Sequence, residues 1–237
     1  MYLSRVVLNP RSRAVRRDLA DCHQMHRTVM SAFPESPGAS PRSSLGVLYR
    51  IESGPRDGTP WLLVQSAVEP QWSQLPAGYV LSGNDGRQNL EVKAIAERYG
   101  QLQPGMRLRF RLFANPTRKV DTRSGPDGQR RHGRRVELRG EQACLDWLSG
   151  KAEHHGFELT SVQATPSVPN VLARPGLKMV GRRSDAAGGP HVTVATVLFE
   201  GELRINDVDA FRRALCGGIG PGKAYGCGLF SIGPARS

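Results

Sequence analysis

The stretch from Met106 to Phe113 constrains the fold most, because its hydrophobic pattern repeats every two residues. Every second position is an arginine, at 107, 109 and 111, and the positions between them are apolar. Side chains of a β-strand point alternately to opposite faces, so this period is typical of a strand with one buried face. We therefore predict a half-buried strand whose outer face is basic. Its arginines are either solvated or free to meet an anion.

The remaining predicted elements follow the same order in both halves of the chain. In the first half we predict strands over 2–8, 46–52 and 61–67 and a helix over 22–32, while 69–103 has only weak patterning. In the second half we predict helices over 141–154 and 207–215 and strands over 157–162, 171–180, 192–204 and 229–232.

This order predicts an α+β fold with two tandem ferredoxin-like (RRM-like, βαββαβ) domains and a C-terminal glycine-rich loop. We expect the first domain over 1–117, closed by the arginine-rich strand, a basic linker or arm over 118–139, and the second domain over 140–237. The second helix of the first domain is the least well marked element.

The charge of the chain indicates a polyanionic partner. Lys and Arg number 33 against 21 Asp and Glu, and only five of the 33 are Lys. The planar fork of arginine fits phosphate oxygens, so nucleic acid is the expected partner, with a non-specific basic surface as the alternative. The four cysteines form no C-x-x-C pair, and no long apolar run indicates a secretion signal or a membrane span. We expect a cytoplasmic protein that does not bind a membrane.

The predicted helix over 22–32 carries His23 and His26 three residues apart, beside Arg27. At helical spacing, both histidines lie on the flank of the apolar face. One imidazole is able to accept a proton from an attacking hydroxyl, the other to protonate a leaving oxygen, and arginine to stabilise the developing charge. Two boundary histidines without a catalytic role are the alternative. A zinc pair has no nearby third ligand to complete it.

The segment from Gly217 to Lys223 fits the start of a phosphate-binding P-loop, G-x-x-x-x-G-K. Ala224 stands where that motif needs a hydroxyl for Mg²⁺, and too few residues follow to build a nucleotide-binding sheet. A nucleotide-dependent enzyme is therefore disfavoured. We expect Gly220, Gly222 and Lys223 to approach a sugar-phosphate backbone closely, or else to form a tight structural turn.

Two further basic stretches are candidate RNA contacts. Residues 118–139 contain eight Lys or Arg residues and three acidic residues. Among the basic ones, the candidate RNA contacts are Arg118, Lys119, Arg130 and Arg131. Residues 174–183 predict a basic hairpin or extended loop with Arg174, Lys178, Arg182 and Arg183. Each stretch is either an RNA contact or a solvated surface.

Five stretches together resemble the CasE family of CRISPR repeat-processing endoribonucleases of type I-E systems. They are MYLSRVVLNP (1–10), HQMHR (23–27), RLRFRLFANP (107–116), LFEGELRINDVDAF (198–211) and GIGPGKAYGCGLFSIGP (218–234). The resemblance runs essentially from end to end, and the C-terminal glycine-rich stretch is its most specific part.

The resemblance implies two ferredoxin-like domains and cleavage of repeat RNA at the base of a hairpin, without a metal or another cofactor. The 2′-hydroxyl attacks the adjacent phosphate and leaves a 2′,3′-cyclic phosphate. The catalytic histidine of the family falls on His26, as general acid for the leaving 5′ oxygen. The family has a tyrosine where this chain has His23, and we expect His23 to act as the base or to orient the 2′-hydroxyl.

The resemblance also implies partners: the CRISPR repeat stem-loop, in precursor and mature crRNA, and the other subunits of Cascade. The hairpin from Arg174 to Arg183 would grip the stem, with Lys178 near the scissile phosphate, and 118–139 would guide RNA or contact Cascade. A subunit that binds the RNA hairpin without cutting it is the alternative reading.

Overall fold

A computed structural model describes residues 1–35, 40–54, 57–83, 88–120, 134–162, 165–182 and 191–235. The strands are β1 (Tyr2–Val7), β2 (Leu48–Ser53), β3 (Pro60–Ser66), β4 (Leu90–Ala94), β5 (Arg107–Ala114), β6 (Thr117–Val120), β7 (Arg134–Glu137), β8 (Phe157–Leu159), β9 (Ser161–Val162), β10 (Thr165–Pro169), β11 (Val171–Pro175), β12 (Met179–Arg182), β13 (His191–Val194), β14 (Val197–Ile205) and β15 (Phe230–Pro234). The helices are α1 (Arg13–Ala20), α2 (Cys22–Met30), α3 (Pro41–Ser44), α4 (Ala96–Gly100), α5 (Glu141–His154) and α6 (Val208–Gly217), with 3₁₀ turns at Trp72–Gln74 and Lys223–Tyr225.

The first sheet is antiparallel, with the strand order β2-β3-β1-β4. Its core joins Val6 and Val64 of the sheet to Met25 and Val29 of α2. The strands predicted over 2–8, 46–52 and 61–67 and the helix predicted over 22–32 are confirmed. Between β3 and β4, the described residues form only a 3₁₀ turn in place of the predicted second helix. Strand β4 lies at the sheet edge with most of its side chains exposed, and its five residues, LEVKA, give only a short alternation within a weakly patterned stretch.

The second sheet is also antiparallel, with the order β11-β14-β5-β15, and β8 pairs with the other end of β14. If β8 and β11 are taken as one interrupted edge strand, this order matches that of the first sheet. The chain is thus an α+β protein with two antiparallel sheets, and both strand orders are consistent with tandem ferredoxin-like units.

Strand β5 confirms the period-two prediction, but it belongs to the second sheet. It lies between β14 and β15, and its buried residues Phe110 and Leu112 are part of the second core. The expectation that this strand closes a first domain ending at residue 117 therefore differs from the structure, in which the second sheet begins at Arg107. Alternation shows that one face of a strand is buried, but it does not show which sheet the strand joins.

The basic face of β5 is largely balanced by carboxylates. Arg107 lies 3.3 Å from Glu202, and Arg111 lies 2.9 Å from Glu52 and 3.5 Å from Glu200. The Nε of Arg109 donates to the carbonyl of Pro234 at 2.9 Å. Two of the three arginines are thus paired with acids, so this face is not an uncompensated anion site.

The two sheets are joined through Arg50, whose side chain is 3% exposed. Its Nη1 donates to the carbonyls of Leu229 and Arg111, and its Nη2 donates to Ser231. Since β2 lies in the first sheet and these partners lie in the second, Arg50 fixes one sheet against the other.

The single long strand predicted over 192–204 is wrong. The chain pairs first with β12, as β13, and then with the second sheet, as β14, and buried Thr196 lies at the break. The Thr196 hydroxyl donates to the carbonyl of Leu177 at 2.7 Å, while its own carbonyl accepts from Gly176 at 2.8 Å. These bonds bend the chain out of one sheet and into a separate hairpin.

The hairpin predicted over 174–183 is shifted in the structure. The paired strands are β12 and β13, whereas Arg174 lies on β11 in the second sheet. Within the described residues, no helix is long and apolar enough to cross a membrane.

Candidate active site

Helix α2 begins at a well-formed N-cap, which fixes the position of both candidate histidines. The Oδ1 of Asp21 accepts from the backbone N–H groups of His23, at 2.8 Å, and Gln24, at 3.2 Å. Met25 and Val29 are fully buried, so the helix face that they define is held against the first sheet. His23 and His26 lie half-buried on its flank, as the helical spacing predicts.

The two histidines share an unusual feature: each Nδ1 is buried and has no hydrogen-bond partner among the described residues. Burial, the neighbouring His23 and the charge of Arg42 lower the pKa of His26 from 6.5 to about 4. In the free protein His26 is therefore neutral at pH 7. A neutral imidazole has one donor and one acceptor nitrogen.

The glycine-rich loop (217–228) forms the second wall of this site. Gly220 and Gly222 have φ of +82° and +80°, where a side chain is strained. A Cβ on Gly222 would also lie 3.3 Å from Cys227. The following turn, Lys223–Tyr225, contacts α2, and the hydroxyl of Tyr49 donates to the carbonyl of Ala224 at 3.0 Å. The loop therefore forms a tight turn against α2, and its expected approach to a sugar-phosphate backbone stays a prediction.

Lys223 is half-buried at this wall. Burial, and then the charges of Arg42 and Lys151, lower the pKa of its ammonium group. Arg42 is itself half-buried, and its Nη1 donates to the carbonyl of Val47 at 2.9 Å. Positive groups from α3 and from the loop thus act on the same space as His26, which favours a bound anion.

The hairpin of β12 and β13 forms the third wall. A Cβ on Gly181 would lie 2.8 Å from Oδ1 of Asp21 and 3.0 Å from the backbone nitrogen of His23. Only glycine lets the strand come this close to the start of α2. The backbone N–H of Arg182 donates to Oδ2 of Asp21 at 3.3 Å, and the Arg182 side chain is exposed beside the site.

The structure therefore brings His23, His26, Arg182, Gly222 and Lys223 together, while their roles stay predictions. Sequence analysis missed other parts of the site: Arg42, Gly181 and Tyr49. Arg42 follows a Pro/Ser-rich stretch without periodicity, and Gly181 is an isolated glycine, so neither gives a sequence signal.

Other predicted RNA contacts lie away from these walls or at their edges. Arg174 is exposed on β11, and Arg118 and Lys119 are exposed on β6. Arg27 is exposed on α2. The predictions for Arg130, Arg131 and Arg183 lie outside the described residues.

Lys178 is exposed at a cavity of about 440 Å³, which is also lined by Glu137, Arg139 and Thr196. The charge of Lys178 and the hydrogen bond from Arg139 hold the pKa of Glu137 below its ordinary value, with the hydrogen bond the larger cause. The structure thus places Lys178 next to β7. Its expected position at the scissile phosphate stays a prediction.

The described residues contain no group of three or more His, Cys, Asp or Glu side chains placed to hold a metal ion. The four cysteines are free thiols.

Comparison with known proteins identifies the family of the chain. The profile of a family described as "CRISPR associated protein" matches residues 1–234. The chain is 35% identical to the CRISPR-associated endoribonuclease Cse3 of Thermus thermophilus, over 99% of this chain and 100% of that protein. It is 30% identical to the Cascade subunit CasE of Escherichia coli, again over 99% and 100% of the two chains.

Solved structures show the same relationship. The structure of the CRISPR endoribonuclease Cse3 bound to a 19-nucleotide RNA has a TM-score of 0.75 at 35% identity, covering 99% of this chain and 100% of that one. The crystal structure of Cas6e from Escherichia coli has a TM-score of 0.66 at 27% identity, with the same coverage.

Proposed function

The chain belongs to the CRISPR-associated protein family that includes the Cse3 and CasE relatives, and from this premise we propose that it is an endoribonuclease that cleaves CRISPR repeat hairpins. The observation that carries the proposal is the position of His26. His26 lies in a space bounded by α2, the glycine-rich loop and basic side chains. Its Nδ1 has no hydrogen-bond partner among the described residues.

In the proposed reaction, the 2′-hydroxyl oxygen attacks the adjacent phosphorus and the bond from phosphorus to the 5′ oxygen breaks. The proton of the 2′-hydroxyl goes to a base, and His26 gives a proton to the leaving 5′ oxygen. The products are a 2′,3′-cyclic phosphate and a 5′-hydroxyl. Arg42 and Lys223 are placed to stabilise the charge that develops on the phosphate oxygens.

The low pKa of His26 in the free protein requires one further step. A general acid must be protonated, and a group with a pKa of about 4 is almost wholly neutral at pH 7. A bound phosphate carries a negative charge that offsets Arg42 and His23 and so raises the pKa of His26. Burial is the largest cause of the low pKa and persists in the complex, so the proposal is that the phosphate raises the protonated fraction of His26, which ties the acid form to the presence of substrate.

His23 is the proposed base, or the group that orients the 2′-hydroxyl. It lies three residues before His26 on the same helix flank, and its Nδ1 is likewise buried without a partner among the described residues. Two imidazoles in this arrangement divide proton removal and proton donation between them.

RNA binding is assigned to the exposed basic side chains near these walls. Lys178 and Lys223 are the proposed contacts beside the scissile phosphate, and Gly220 and Gly222 are proposed to let the RNA backbone approach. Arg174 and Arg182, with Arg27, are proposed to contact the stem, and Arg118 and Lys119 are proposed to guide RNA or to contact other Cascade subunits. Recognition through phosphates and stem shape makes affinity fall steeply with salt.

The relatives also indicate where the product goes. The Escherichia coli relative is a Cascade subunit, and a solved CRISPR RNA-guided surveillance complex contains a chain 27% identical to this one. We propose that this protein stays bound to the mature crRNA hairpin, assembles into Cascade and acts in the cytoplasm.

The deciding experiment uses a radiolabelled type I-E repeat hairpin in EDTA, with wild-type protein and the His26→Ala variant. We expect wild type to leave a cyclic-phosphate end in a single-turnover assay, and His26→Ala to bind the hairpin with little change and not cut it. His154→Ala, an exposed histidine on α5, is the matched control. Tight binding without cutting by wild type would favour a non-cleaving subunit, and cutting that requires a divalent metal would contradict the mechanism.

A further inference from the structure

Basic side chains extend from the active site across the glycine-rich loop to the end of α5. Lys151 lies in the last turn of α5, with its Nζ 5.8 Å from the centroid of the Trp147 ring. Trp147 in turn abuts the loop, because a Cβ on Gly220 would lie 2.9 Å from its indole ring. These two contacts place Lys151 beside the loop that carries Lys223.

The position of Lys151 is fixed by the core beneath it. The Trp147 ring stacks on fully buried Phe199, with ring centroids 6.1 Å apart and planes inclined by 17°. A cation above a fixed aromatic ring is held in one region of space and loses little further freedom when it binds a ligand.

His155 belongs to the same group. It follows α5 directly, and its backbone N–H donates to the carbonyl of Lys151 at 3.1 Å. Burial, and then the charges of Lys151, His154 and Lys223, lower the pKa of His155. We call the cations Arg42, Lys151 and Lys223, together with the neighbouring His155 imidazole, the cation patch.

The cation patch lacks acidic partners. Within the described part of the chain, no carboxylate forms an ion pair with Arg42, Lys151 or Lys223. The helix dipole of α5 favours a cation at its C-terminal end, but it does not account for cations of α3 and of the loop at the same place. Uncompensated like charges from three elements are costly unless an anion binds between them.

The depth of the cation patch indicates which form of RNA it takes. All four of its residues are half-buried, whereas Arg174 and Arg182, proposed to contact the stem, are exposed. A rigid duplex reaches exposed side chains, while a flexible single strand is able to follow a recessed path over a glycine-rich loop. The patch is also continuous with the cleavage site, since the turn with Lys223 contacts α2.

We propose that Lys151 and His155 bind the sugar-phosphate backbone of the single-stranded RNA that flanks the hairpin, next to the cleaved bond. This inference rests on the proposed function. It assigns binding of the single-stranded part of the substrate to the end of α5. Binding of the RNA stem is left to the side of the site that β12 and β13 form.

The test is a double-mutant cycle between protein and RNA. Dissociation constants are measured for wild type, Lys151→Ala and His155→Ala with four RNAs: the hairpin with both flanks, without the 5′ flank, without the 3′ flank, and with neither. Each RNA has a 2′-deoxynucleotide at the cleavage site, which prevents cutting. Lys93→Ala removes an exposed lysine of β4, which pairs with Glu91, and is the matched control.

We expect Lys151→Ala to weaken binding of the fully flanked RNA by about three- to tenfold, and to lower the slope of log Kd against log salt by about 0.7, the value for one phosphate of a single strand. Binding of the bare hairpin should change less than about twofold. Removal of the flank that Lys151 contacts should abolish the difference between variant and wild type. His155→Ala should lose affinity for the same flank.

Equal losses with flanked and bare RNA would place these residues on the stem and overturn the inference, as would no loss with any RNA. If Lys151→Ala unfolds at a lower temperature than wild type, Lys151→Gln, which keeps most of the side chain over Trp147, replaces it. Failure of wild type to bind the bare hairpin would instead contradict the proposed function, so the two failures are distinguishable.

Discussion

The Nε of Arg50 donates to Oε1 of Glu52 at 2.6 Å, and both side chains are more than nine-tenths buried. Glu52 also pairs with Arg111 at 2.9 Å, on the central strand of the other sheet. This network joins the first sheet, on which α2 with His26 packs, to the second sheet, whose strand β15 follows the loop with Lys223, so the proposed active site exists only while the two sheets are held together.

Replacing Arg50 by Ala should therefore destabilise the protein by about 3–5 kcal/mol, because buried Glu52 would keep only Arg111 as a partner and two carbonyls would lose their donor. Urea unfolding at pH 7 measures this. Arg107→Ala removes an exposed arginine that also pairs with a glutamate, and should cost less than about 1 kcal/mol. Equal losses for the two variants would contradict a joint that depends on Arg50.

The extent to which sequence predicts this fold is clear from β5. Its alternation predicts the strand and its buried face, because period two follows from local geometry. Its neighbours β14 and β15 begin 83 and 116 residues after the end of β5. No local pattern predicts which strands pair with β5, so the sequence places this strand in the first domain, whereas it belongs to the second sheet.

The active site divides in the same way. The cap at Asp21 and the shared flank of His23 and His26 follow from residues within one helix. Arg42 and Gly181 reach that helix only through tertiary packing, which places a Pro/Ser-rich stretch and a hairpin around it. The parts of the site that come from one segment could be predicted, and those that come from several could not.

The role of His23 is tested by a pair of aromatic variants. If His23 removes or guides the proton of the 2′-hydroxyl, His23→Phe should slow single-turnover cleavage by about 10²- to 10⁴-fold. His23→Tyr differs from it by one hydroxyl, the group found at this position in the resembling family, and should retain much more activity. A rate for His23→Ala within about threefold of wild type, or ~0.7 kcal/mol in the barrier, would show that the role is wrong.

The pH dependence of stability should report on His26. Its pKa in the folded protein is about 4, below the ordinary 6.5, so the unfolded chain takes up the proton more readily. The stability that follows from this difference in pKa is fully present above pH 6.5 and is lost as the pH falls toward 4. His26→Gln should reduce the loss of stability between these pH values, measured by urea unfolding at several pH values. His154→Gln, which removes an exposed imidazole, should follow the wild-type curve, and a His26→Gln curve parallel to wild type would contradict the burial of a neutral His26.

The conformation of the glycine-rich loop should matter more than its flexibility. Gly222→Ala forces a side chain into a φ of +80° and against Cys227, 3.3 Å away, and should cost about 1–2 kcal/mol from the backbone alone. Gly217 lies at the end of α6 without a positive φ, and a Cβ there meets no atom within 4 Å. Gly217→Ala should therefore be neutral or stabilise the protein by up to about 1 kcal/mol.

Unfolding by urea separates the two variants. RNA affinity at fixed salt should fall only for Gly222→Ala, because displacement of Lys223 removes a phosphate contact. A loss of affinity for Gly217→Ala as large as for Gly222→Ala would show that the loop needs general flexibility instead of this one backbone conformation.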